Sequence, residues 1–150
     1  MNQPTYTKET EYFVYLNPNP AAEGRRTLKW NRPDCVVRAI SNSTDYSWQE
    51  VAYWLFTKAM NNSTMPNDPS IKHGFPSWLQ GCGADWVAVK TQKGQKRMTA
   101  KDFALSHPKG SYIVKVAHHT CACVDGKLCD TWNCGSKAIT GYFDMSNFEL

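Results

Sequence analysis

Ala117-His118-His119-Thr120-Cys121-Ala122-Cys123-Val124-Asp125-Gly126-Lys127-Leu128-Cys129-Asp130-Thr131-Trp132 reads as a two-stranded ribbon. Asp125-Gly126 between two apolar runs is a strong hairpin signal, because a type I′ turn needs positive φ at both central residues. With those two residues as the loop, Val124 faces Lys127, Cys121 faces Asp130 and His119 faces Trp132. Side chains two apart in a strand share a face, so His119, Cys121, Asp130 and Trp132 project together while His118 points away. His119 and Asp130 become diagonal neighbours, about 7–8 Å apart at the backbone and within side-chain reach.

Upstream, Asp34-Cys35-Val36-Val37-Arg38-Ala39 places a cysteine where an apolar helix begins, with Asp34 as a natural N-cap. Backbone N–H groups and the helix dipole favour an anion there, so a thiol in that position ionises near neutral pH. Taken alone, Cys35 reads more simply as a small buried hydrophobe. With the hairpin, Cys35, His119 and Asp130 supply a nucleophile, a base and a group to orient the base.

Between and around these segments the pattern is mixed. Glu11 to Leu16 reads as a strand stopped by Asn17-Pro18-Asn19-Pro20, and proline at 33 blocks regular structure before the first helix, which runs to about Ser41. Ser47 and Glu50 form a capping box for a second helix carrying Val51, Trp54 and Leu55. A linker with Pro66 and Pro69 precedes a short helix from Pro76 to Leu79, ended by Gly81 and Gly83. Asp85 to Val89 reads as a strand, and Thr99 with Asp102 caps a helix to about Ser106. The remainder is β: one run from Ser111 through Ala117 to Val124, then Leu128 to Trp132 and Ile139 to Phe143. Helices come first and the sheet second, which predicts a single α+β domain over residues 1–150.

Composition narrows the function classes. With 41% hydrophobic and 13% aromatic residues in 150, a packed core is expected rather than disorder. The net charge of +4 comes from scattered basic residues, which points away from a nucleic-acid partner. The amino-terminal segment lacks a signal peptide's apolar stretch and no long apolar run occurs, so the expectation is a cytoplasmic protein that does not use a membrane and keeps its six cysteines as free thiols. Cys121, Cys123, Cys129 and Cys134 with His118 and His119 invite a zinc site, but the predicted pairing puts Cys129 on the face opposite Cys121 and Cys123. No metal or cofactor is expected.

The chain resembles the papain-like cysteine peptidases. In that superfamily the nucleophile opens a helix, the base starts a later strand and the orienting Asn or Asp lies on the next strand, the order of Cys35, His119 and Asp130 here. Asp130-Thr131-Trp132 is similar to the family's Asn-Ser-Trp, in which the tryptophan covers the Asn–His hydrogen bond. Trp30-Asn31-Arg32-Pro33-Asp34-Cys35-Val36-Val37-Arg38-Ala39 and Val124-Asp125-Gly126 resemble small papain-like proteins of bacteria and their phages. The resemblance implies helices carrying Cys35 packed on an antiparallel sheet carrying His119 and Asp130. It also implies a peptidase or amidohydrolase acting on a peptide or protein through a thioester, with Trp132 shielding the triad. The family's oxyanion-binding glutamine, six residues before the nucleophile, is replaced by Lys29, so the expected donor is Asn31 with the Cys35 N–H. Two alternatives share these residues: a transglutaminase-like acyltransferase, and a non-catalytic papain-like binding or inhibitor protein of phage origin.

Overall fold

Four helices and a six-stranded mixed sheet make up the computed structural model, which describes residues 8–22, 34–63 and 71–150. The helices are α1 (Cys35–Ser43), α2 (Trp48–Asn61), α3 (Ile71–Gly81) and α4 (Ala100–Ser106). The strands are β1 (Phe13–Tyr15), β2 (Asp85–Ala88), β3 (Ser111–Val116), β4 (His119–Val124), β5 (Lys127–Asp130) and β6 (Ile139–Asp144), in the spatial order β1-β5-β4-β3-β6-β2. The architecture is α+β.

Local signals explain most of these elements. Both capping boxes form, Ser47 with Glu50 at α2 and Thr99 with Asp102 at α4, each satisfying two backbone donors that a helix start leaves open. The β4–β5 hairpin turns at Asp125 (φ 47°) and Gly126 (φ 81°), in the register Val124↔Lys127, Cys123↔Leu128, Ala122↔Cys129.

The structure corrects three sequence expectations. The sheet is mixed rather than antiparallel, because β1 pairs parallel with β5 from Phe13↔Leu128 to Tyr15↔Asp130. Hairpins force antiparallel pairing, but β1 joins the sheet through a long connection that includes helices, which permits the parallel choice. The run from Ser111 to Val124 is two strands, folded back at Ala117-His118 with His118 at φ 58°. That turn lacks Gly, Pro, Asn and Asp, and histidine is among the few other residues that tolerate the left-handed region. Finally, α3 starts at Ile71 and keeps Pro76 inside it. Phe75 and Leu79, one turn apart and both buried, anchor the helix across the hydrogen bond that the proline removes.

Strand parity divides the apolar residues between two cores. Ile113 and Phe143 meet Ile40 of α1, Val51 and Leu55 of α2, and Phe75 and Leu79 of α3. Val114, Cys121, Cys123 and Leu128 meet Phe13 and Phe103 of α4 on the opposite side. The C-terminal segment closes over the turn after α3. Gly83 sits there at φ +100°, where a Cβ would come 2.1 Å from the Asn147 carbonyl oxygen. Gly83→Ala is therefore expected to lower stability by about 3 kcal/mol, read as a lower urea midpoint at unchanged m-value; a wild-type midpoint would refute the close approach.

Candidate functional site

Cys35 is the first residue of α1, whose Val37 and Ile40 are buried in the core while the thiol stays partly exposed at the helix start. Asp34 occupies the N-cap position, but its side chain makes no capping hydrogen bond. Instead its carboxylate accepts from the Arg38 guanidinium, from Trp48 Nε1 at 3.0 Å and from Asn19 Nδ2 at 3.2 Å. Asp34 thus holds the cap position expected of it without the side-chain bond; an arginine one turn away competes better for a buried carboxylate than backbone N–H groups do.

The hairpin delivers the other two side chains. His119 opens β4, and Asp130 ends β5. They belong to the strand parity of Cys121 and Leu128, which faces α4, yet they stand at the end of the sheet and reach α1 from there. His119 Nε2 lies 2.5 Å from Asp130 Oδ2, and the Trp132 ring packs on the imidazole with centroids 4.7 Å apart. Thr120, of opposite parity, puts Oγ1 4.0 Å from Cys35 Sγ. With Nε2 taken by Asp130, Nδ1 is the ring nitrogen left for the thiol. His118 is exposed in the turn.

Electrostatics follow from these contacts. Burial pushes the Cys35 thiol up, but the hydrogen bond and charge of His119, then Arg38 and the Thr120 backbone, outweigh it and hold the thiol below its ordinary value. Burial pulls His119 down, but hydrogen bonds to Asp130 and Cys35 and the charge of Asp130 lift it to about 10. Each group thus favours the charged form of the other, the thiol pulled down and the imidazole lifted. Other thiols are shifted the opposite way. Cys121 is raised by its hydrogen bond to Cys134 and by burial, and burial lifts Cys123 to about 12 and Cys129 to about 11.

The structure therefore brings together Cys35, His119, Asp130 and Trp132. Asn31, the expected oxyanion donor, lies outside the described residues, as does Lys29. Sequence reading missed Arg38, which holds both carboxylates, and Asn19 and Trp48, which hold Asp34; the four-residue spacing of Asp34 and Arg38 was a signal for Arg38 alone. Among the described residues, no group of three or more His, Cys, Asp or Glu is arranged to hold a metal ion, and no helix is long and apolar enough to cross a membrane. An open groove between Asn42–Tyr46 and residues 145–149 lies at the other end of α1, away from the thiol. The chain matches no protein-family model, no curated protein and no solved structure.

Proposed function

We propose that this protein is a cysteine peptidase or thiol amidohydrolase of papain-like design, with Cys35 as nucleophile, His119 as acid–base and Asp130 as the group that orients the imidazole. The observation that carries this reading is the 2.5 Å contact of His119 Nε2 with a buried Asp130 carboxylate, beside a thiol at the first residue of a helix. An isolated surface histidine would have no need of such a partner.

In the proposed reaction, the Cys35 thiolate attacks the carbonyl carbon of an amide. The negative charge that develops on the carbonyl oxygen is met by the Cys35 backbone N–H, one of the donors a helix start leaves without an intrahelical partner. His119 gives its proton to the departing amine as the C–N bond breaks, leaving a thioester on Cys35. Water, deprotonated by the now neutral His119, attacks the thioester and releases the acid and the thiol. Trp132, its ring packed at a tilt against His119, keeps water from the Asp130 contact. The substrate is accordingly a peptide or protein bearing an accessible amide, and an added amine that yields ligated product would redirect the reading to acyl transfer.

The first test is intact-mass analysis after brief treatment with iodoacetamide at pH 7. Cys35 is expected to be modified at least about tenfold faster than Cys82, the other partly exposed cysteine. Amide hydrolysis should vanish in Cys35→Ala. Uniform slow labelling of the cysteines, or hydrolysis surviving Cys35→Ala, would end the proposal.

A further inference from the structure

Arg38 is a charged side chain in an apolar helix, only 3% exposed. A buried guanidinium is costly unless its N–H groups are hydrogen-bonded to carboxylates. Here they are. One terminal nitrogen, Nη1, donates to Asp34 Oδ1, while Nε and Nη2 both donate to Asp130 Oδ1 at 3.3 Å. The Thr131 N–H adds a third donor to that same oxygen at 2.7 Å. Oδ1 is thereby filled, and Oδ2 is the oxygen that meets His119. Asp34 is itself fixed from outside the helix by Trp48 and Asn19. A continuous set of contacts thus runs from α2 and the loop after β1, through Asp34 and Arg38, to Asp130 and the imidazole.

We propose that Arg38 is a positioning residue for this site: its fork clamps Asp130 Oδ1 so that the carboxylate is held in one orientation and presents Oδ2 to His119. The inference rests on the triad reading above. Its physical ground is geometric. A carboxylate free to rotate would share His119 between two oxygens, whereas donors fixed on Oδ1 leave only Oδ2 for the imidazole. A planar guanidinium supplies that constraint through two N–H groups, while the ammonium of lysine is a point charge with no fork.

The test is the pH profile of Cys35 alkylation in the full chain, with folding checked by circular dichroism. Arg38→Met is expected to move the rise of the profile upward by about one pH unit, so that labelling at pH 7 falls about tenfold. Arg38→Lys should fold while giving a smaller shift in the same direction. It serves as the deciding variant if Arg38→Met does not fold. Because Arg38 also acts on Cys35 directly through its charge, the decisive comparison is made in His119→Ala. There the effect of Arg38→Met should shrink severalfold, since the route through Asp130 and His119 is gone. A folded Arg38 variant with the wild-type profile would overturn the proposal, as would an undiminished shift in the His119→Ala background. Absence of selective Cys35 labelling in the wild-type chain would instead sink the triad reading itself.

Discussion

His119→Ala is expected to abolish the selectivity of Cys35 for alkylating reagents and to cut amide turnover by orders of magnitude. In the wild-type chain, burial raises the thiol and the imidazole reverses that effect through its hydrogen bond and charge. Without the imidazole, burial dominates, and the thiol moves up instead of down. Labelling of Cys35 at pH 7 should fall at least about tenfold, while labelling of Cys82 stays unchanged. Turnover should fall by about 10²–10⁴, the usual contribution of a positioned acid–base group. The pH dependence distinguishes the two readouts. Wild-type alkylation rises as Cys35 ionises and then stays level, since it needs only the thiolate. Turnover needs the imidazolium as well, so it should fall again as pH passes about 10, where His119 loses its proton. In His119→Ala the alkylation curve should keep its single rise but move to higher pH. Unchanged labelling in the variant would mean that the imidazole does not activate the thiol.

Much of the site could be read from the chain because it rests on short-range rules. Asp125-Gly126 fixes the hairpin register, and register fixes which side chains share a face. That chose His119 over His118, brought Asp130 to it and placed Trp132 on the ring. The two capping boxes were legible for the same reason, since partners three residues apart meet within one helical turn. What escaped was non-local. The parallel pairing of β1 with β5 joins residues more than a hundred positions apart, and no turn chemistry announces it. Arg38 was hidden similarly. Its tie to Asp34 lies on one helix, but its tie to Asp130 exists only once α1 is laid across the sheet. Asp34 was placed rightly at the cap, but the partner of its side chain was not legible, since a capping preference was weighed without the cation that outbids it.

Asp130→Ala should be the most disruptive single change at the site, because the side chain has structural and chemical partners at once. Its removal leaves Arg38 Nε and Nη2, the Thr131 N–H and His119 Nε2 without their acceptor. Arg38 and Asp130 are almost wholly buried, with side chains 4% and 2% exposed, so water cannot replace the lost partner cheaply. Breaking a buried ion pair from one side costs about 3–5 kcal/mol, a large part of the roughly 5–15 kcal/mol that holds a domain folded. A fall in Tm of about 10 °C is expected for a chain of this size. Asp130→Asn keeps an acceptor oxygen for Arg38 and Thr131 and should lose only about half as much stability. Reactivity should divide differently. Asp130 raises His119 through a hydrogen bond and a charge; without the charge, burial pulls the imidazole down and the imidazolium is lost at neutral pH. Both variants should therefore lose most of the Cys35 labelling advantage at pH 7, although only one of them loses most of the stability. If Asp130→Asn melted near the wild type and still labelled at the wild-type rate, the carboxylate would be a structural partner of Arg38 alone. Loss of reactivity in a variant that remains well folded would assign it to the chemistry.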